Sequence, residues 1–320
     1  MPAPTRRSFL TLGALALLCG CTSGPDRARR PAAEDADRPL RLRQLAATDA
    51  LLADYDAVLA ANPGDADRLG NLRDDVVQHR EALAQSLPAS SPAASPSAAS
   101  PAARTVADLA AAELRTAGLR LADLAAASPA LARTLASAAA AGAAHAAALG
   151  DTGPIAADGP SPAPSALAAA DTEALQSALA AEHAAVYGYG VVGAFLPAGP
   201  QREDGRAAYA AHQSRRDAWQ RLLAAGGASP TAAAPGYRLP FPVKDAATAG
   251  QLAAHLEIQL TAAYADLCAS TALRPQAATA LRECTLRAAH WGADLPALPG
   301  LTPAEPADPA PTTGAGPGAG

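Results

Sequence analysis

Apolar residues recur along this chain every three to four positions, the period of a helix with one buried face. Leu45, Leu52 and Leu59 repeat at heptad spacing and predict a first helix over residues 40–61, ended by Asn62-Pro63-Gly64-Asp65. Leu69, Leu72, Val76 and Leu83 predict a second over 67–87. A third is predicted over 105–127, and a fourth over 129–149 aligns Leu131, Leu135, Ala138, Gly142, His145 and Leu149. The fifth, over 171–195, places Leu175, Leu179, Glu182, Val186, Tyr189 and Gly193 on one stripe. The sixth, over 205–225, does the same with His212, Arg216, Trp219 and Leu223. A seventh over 246–270 presents Leu252, Leu256, Leu260 and Leu267, and an eighth over 275–291 presents Leu281, Cys284, Ala288 and Trp291.

The eight fall into two sets of four. Each set reads helix, short loop, helix, long proline-rich connection, helix, short loop, helix. Short loops make antiparallel neighbours, and one long crossover closes a four-helix bundle in the ferritin-like way. The expected fold class is therefore all-α, with two tandem four-helix bundles, the second ferritin-like. Residues 40–150 would form the first bundle and 168–293 the second, with a Pro/Ser/Ala linker at 151–167 and a disordered tail at 294–320. An ungapped comparison of Thr105–Leu124 with Thr248–Leu267 shares Thr105/Thr248, Leu109/Leu252 and a final Ala-Asp-Leu, which points to an internal duplication.

Composition supports the helical reading. Aromatic residues make up 3% of the chain and methionine occurs once, so the cores must be built from alanine and leucine. Both are strong helix formers, whereas strand formers are scarce. The net charge of −5 argues against nucleic acid and against a polybasic grip on anionic lipid.

The N-terminus carries an address. Arg6-Arg7 followed by Ser8-Phe9-Leu10 resembles a twin-arginine export signal, and the apolar run behind it, Phe9 to Leu18, is too short to span a bilayer. Leu18-Cys19-Gly20-Cys21 has the pattern of a bacterial lipobox, in which residues 1–20 are removed and Cys21 carries lipid. Residues 21–39, broken by Pro25, Pro31 and Pro39, then read as a flexible tether. The expected location is the extracytoplasmic face of the cell membrane, lipid-anchored, with an envelope partner that the sequence does not specify. In an oxidising compartment the remaining pair, Cys268 and Cys284, reads as a disulfide between the last two helices; the competing reading is two buried thiols.

Candidate chemistry centres on Glu182, whose stripe position buries a carboxylate that needs a partner. His212, Glu257 and His290 lie on the three following helices and could converge on it, a set suited to iron, manganese or zinc. The competing reading is a structural polar network, with Arg216 as the cation for Glu182 or Glu257. The Glu-x-x-His motif of di-iron bundles is absent from the chain, which favours the structural network. A fainter echo occurs in the first set. Asp49 precedes His79 by 30 residues, as Glu182 precedes His212, and Glu113 and His145 follow on the third and fourth helices.

The runs Glu182-His183-Ala-Ala-Val-Tyr187-Gly-Tyr189-Gly, His212-Gln-Ser-Arg215-Arg216-Asp217, and Leu256-Glu257 followed by Ala-Tyr264-Ala-Asp-Leu resemble a ferritin-like domain of unknown function found in actinobacterial proteins. Asp54-Tyr55-Asp56 and His79-Arg80-Glu81 are similar to the N-terminal half of lipoproteins that carry it. The resemblance implies a ferritin-like bundle in the cell envelope and supplies no activity. The resulting expectation is a lipid-anchored envelope protein, a non-catalytic binding or scaffolding module. A metal-binding or metal-dependent redox protein is the alternative.

Overall fold

The structure, a computed structural model, describes residues 25–85, 87, 105–151 and 167–301, with side chains from residue 36 onward. Arg6, Arg7 and Cys21 lie outside the described residues. The described residues form helices and no strands, with α1 (Pro25–Ala61), α2 (Ala66–Ala84), α3 (Val106–Ala122), α4 (Pro129–Ala148), α5 (Ala169–Phe195), α6 (Pro200–Ala225), α7 (Ala246–Leu267) and α8 (Arg274–His290). The first four pack as one bundle and the last four as a second. None of these helices is long and apolar enough to cross a membrane.

Local sequence explains where several helices begin. Thr105 and Asp245 each close a capping box with the residue three positions on, Asp108 and Thr248, satisfying backbone N–H groups that have no partner inside the helix. Ser128 caps α4 and is itself held by Asp37 of α1, which accepts from the Ser128 backbone N–H at 2.9 Å. Residues 25–39, expected as tether, thus belong to α1, and Asp37 is buried against the start of α4. Prolines 31 and 39 did not break the helix.

The connection from α6 to α7 runs along α5. Gln176 donates to the Ser229 carbonyl at 2.7 Å, the His183 Nε2 meets the Thr231 carbonyl at 3.0 Å, and the Tyr187 and Tyr237 rings lie 5.3 Å apart. Gly188 lets α7 approach α5, since a Cβ there would run into the Leu256 side chain.

The bundles share an interface centred on α4, where every residue from Leu135 to Ala146 is buried. A helix apolar on all sides has no solvent face, and α4 packs on α3 within its own bundle and on α8 of the other. Alanine makes this possible because its side chain allows close backbone approach. Leu286 of α8 packs into the patch formed by Ala117, Ala139 and Ala143. Buried Arg274, at the start of α8, crosses the junction. It donates to the carbonyls of Leu124 at 2.8 Å and Ala127 at 2.9 Å, and to that of Cys268 at 3.0 Å.

Two further expectations are corrected. Residues 294–301 do not begin a disordered tail: Ala297 is buried, and Ser137 of α4 donates to the Pro299 carbonyl at 2.8 Å. Residues 302–320 lie outside the described residues. Cys268 and Cys284 are free thiols, both buried. Cys268 caps α7 at the tip of the α7–α8 hairpin, whereas Cys284 lies ten residues into α8, about 15 Å along the axis at 1.5 Å per residue. A disulfide needs its Cα atoms within roughly 7 Å.

Replacing Arg274 with alanine should leave the carbonyls it bridges unpaired and cost about 2–4 kcal/mol of stability, read as a lower urea midpoint. A change below about 0.5 kcal/mol would contradict the clamp.

Candidate functional site

Each bundle holds buried carboxylate chemistry at its centre. In the second bundle α5 contributes Glu182 and Tyr189, seven residues apart, and α7 contributes Glu257 and Tyr264, also seven apart. Seven residues are two helical turns, so each pair shares a face. The helices run antiparallel, and each tyrosine reaches the other helix's glutamate. Tyr189 donates to Glu257 Oε1 at 2.6 Å, and Tyr264 donates to Glu182 Oε1. Burial first, and then the adjacent carboxylates, push both phenols up, so they remain donors.

His212 of α6 lies between the two carboxylates. Its Nδ1 is 2.9 Å from Glu182 Oε2 and its Nε2 is 3.1 Å from Glu257 Oε1. Donation from both nitrogens requires the imidazolium. Burial pulls His212 down, but the two glutamates outweigh it and raise its pKa. Arg287 of α8 donates from Nε to Glu257 Oε1 at 3.0 Å. Burial alone would raise Glu257, yet His212 and Arg287 hold it below its ordinary value. Two carboxylates thus face two cations, and the cluster is neutral. Arg215 pairs with Glu283 and sits 5.6 Å from the centre of the Tyr264 ring, forming a second layer on the α8 side.

Three of the four expected metal ligands therefore meet, and His290 does not join them. It is the last residue of α8, about 4.5 Å further along the axis than Arg287, and it pairs with Asp204 at 3.0 Å on the surface. Arg216 is also corrected: it is half-exposed and pairs with its neighbour Asp217. The cation that Glu257 uses is Arg287, 30 residues after it, as His212 is 30 residues after Glu182. The residues do not suit iron, manganese or zinc. Glu257 Oε1 already accepts from three protein donors, a guanidinium occupies the cation position, and no three His, Cys, Asp or Glu among the described residues are arranged to hold a metal ion.

The first bundle repeats the register with other chemistry. Thr48 and Tyr55 of α1 stand seven apart, as do Glu113 and Arg120 of α3. Tyr55 donates to Glu113 Oε1 at 2.6 Å, the counterpart of Tyr189 and Glu257. Arg120 reaches Thr48 at 3.4 Å, where the second bundle pairs Tyr264 with Glu182. Glu113 and Glu257 are therefore equivalent, one residue away from the ungapped alignment. Thr48, rather than Asp49, corresponds to Glu182; Asp49 pairs with Arg80 at 2.5 Å on the surface. His145 of α4 supplies the imidazole, with Nδ1 2.9 Å from Glu113 Oε1 and Nε2 3.4 Å from Asp75 Oδ2. Burial lowers His145, but Glu113 and Asp75 prevail and hold it at about 9. Gly142 leaves room for the carboxylate, because a Cβ there would stand 3.1 Å from Glu113 Oε2.

Tyr55, Tyr264, Asp75, Arg120 and Arg287 were missed as partners from sequence. The available signal was the twofold Glu-x6-Tyr spacing, at Glu182/Tyr189 and Glu257/Tyr264.

A histidine whose folded pKa lies above its unfolded value of about 6.5 stabilises the fold fully below that pH. The stabilisation from His145 is lost as pH rises through about 9. Thermal stability should therefore fall between pH 7 and 10, and His145→Asn should flatten part of that decline. An unchanged profile in the variant would refute the assignment. Tyr189→Phe, which removes a donor to a buried charge, should cost about 1.5–3 kcal/mol by chemical denaturation.

Residues 174–303 match the family described as a domain of unknown function (DUF4439). A crystal structure of a conserved hypothetical protein from Mycobacterium tuberculosis is similar at 37% identity, over 39% of this chain and 97% of that one, with a TM-score of 0.37. No curated protein matches the chain. Residues 174–303, which include most of the second bundle and the segment after it, therefore form a domain of the DUF4439 family.

Proposed function

We propose that this chain is a lipid-anchored protein of the cell envelope whose helical body, ferritin-like in its second bundle, is a non-catalytic binding or scaffolding module. The location rests on Arg6-Arg7 and on Cys21 at the lipobox position. The ferritin-like reading rests on the antiparallel α5–α7 pair and on the connection that runs along α5 between α6 and α7. The non-catalytic reading is carried by one observation: Arg287 supplies from within the protein the positive charge that Glu257 needs. The charge of the centre is balanced by its own side chains although Glu257 Oε2 is left without a partner, and its ionic hydrogen bonds hold helix register. The partner would be another envelope component, met by the outer faces of the helices.

Two measurements test this. The mature protein, expressed with iron, manganese and zinc in the medium, should purify with metal well below one ion per chain; a stoichiometric ion would overturn the structural reading of the centre. In cells, Cys21→Ala should move the protein from the membrane fraction to the soluble extracytoplasmic fraction, and Arg6→Lys with Arg7→Lys should hold it in the cytoplasm. Unchanged membrane retention of Cys21→Ala would refute the lipid anchor.

A further inference from the structure

The segment after α8 is a non-helical stretch that touches both bundles at buried positions. From Gly292 to Leu301 it leaves the end of α8 and crosses the junction. His79 of α2 meets the Ala297 carbonyl at 2.5 Å through Nε2. Ser137 of α4 donates to the Pro299 carbonyl at 2.8 Å. Gly300, at φ +78°, lies directly on the α7 backbone, where a Cβ would run into the Thr261 carbonyl. Three helices from two bundles thus hold ten residues of non-helical chain.

The first of these anchors is chemically unusual. His79 is fully buried, and its Nδ1 has no partner. Its ring stacks on His145, with centroids 5.9 Å apart. The charged groups around it are Arg120 and Glu113 from α3, His145 from α4 and Asp75 from its own helix. Both carboxylates are directed at His145, and neither hydrogen-bonds His79. Tyr55 of α1 brings a hydroxyl to Glu113, and the crossing segment brings only a carbonyl. A proton added to His79 would therefore place a third cation beside His145 and Arg120, at a buried position where both carboxylates are already paired with His145.

We propose that residues 292–301 form an acid-released latch across the two bundles, with His79 as the group whose protonation opens it. While latched, His79 is neutral and donates its single N–H to Ala297. Burial, then Arg120 and His145, hold its pKa well below the ordinary value in this state. Once the segment lifts, the ring meets water and regains a value near 6.5. The latch is thus fully stable above about pH 6.5 and weakens as pH falls, because the open form binds the extra proton. One proton gives a rise in the opening constant that steepens below pH 6.5 toward a limit of about tenfold per pH unit. His145, at about 9, is already charged in this range and adds no slope. Opening uncovers the buried faces of Ala297 and Pro299 and the strip of α4 beneath them.

Hydrogen exchange of the full mature protein, followed by mass spectrometry between pH 5 and 6.5 and corrected for intrinsic rates, reads the opening directly. Amides of residues 293–301 should show an opening constant that rises about 16-fold from pH 6.5 to pH 5, while those of α4 and α8 do not change. His79→Gln keeps a donor for Ala297 but cannot titrate, so its latch should be independent of pH. Ser137→Ala should loosen the latch at every pH and keep the slope. A flat profile in the parent protein, a slope that survives in His79→Gln, or parallel opening of α4 would each overturn the proposal. Should His79→Gln not fold, the His79 ring resonance decides: it must titrate together with the opening, and a ring that stays neutral while the segment opens refutes the trigger.

Discussion

Carboxylates buried among alanine and leucine impose the constraint on which the rest of this molecule depends. Glu182, Glu257 and Glu113 are completely inaccessible to water. An unpaired buried carboxylate would either destabilise the fold or give up its charge. Each is instead surrounded by donors drawn from other helices: a phenol and an imidazole in every case, with a guanidinium as well at Glu257. These contacts require the helices to sit at one axial position. A slip of one residue turns a side chain by about 100° and breaks them. Alanine-rich helices have smooth, nearly interchangeable surfaces and specify register poorly, so the polar centres supply what the apolar packing lacks.

The two bundles reach this end by the same geometry with different residues. Positions seven apart on the first and third helices of each bundle pair across an antiparallel contact. One pairing is tyrosine to glutamate in both bundles. The other is Tyr264 to Glu182 in one bundle and Arg120 to Thr48 in the other. The first bundle thus dispenses with one carboxylate and buries a cation directly, while His145 draws a second acid from Asp75 at the edge of the core. This agreement in register supports the internal duplication more firmly than the sequence comparison does, because alanine matches alanine by chance whereas a hydrogen-bonded pair at fixed spacing does not.

The junction follows from composition. A helix as small-sided as α4 can be enclosed on every face, so it serves both bundles and makes them one packed unit. Polar groups at the seam, including the Leu124 and Ala127 carbonyls and the Ser137 hydroxyl, are satisfied by Arg274 and by the segment after α8.

The sequence was enough to read the number, type and order of the helices, because apolar period, capping residues and proline-rich breaks are local signals. It also showed that Glu182 and His212 face a core, since their stripes are well marked, whereas Glu257 stands one residue off the leucine stripe read for its helix. It misled on the first helix. The conspicuous leucines, Leu45, Leu52 and Leu59, are only half-buried and flank the true inner stripe of Gln44, Thr48, Leu51, Tyr55 and Val58. That one-residue offset made Asp49 look like the counterpart of Glu182. Four features emerge only once the helices are packed: Arg287 and not Arg216 is the internal cation, His290 stays on the surface, Cys268 and Cys284 lie at different depths, and residues 294–301 pack across the junction. Each of these depends on axial level and on which neighbour a face meets. Those are set by the packing of whole helices and leave no trace in the spacing along any one of them.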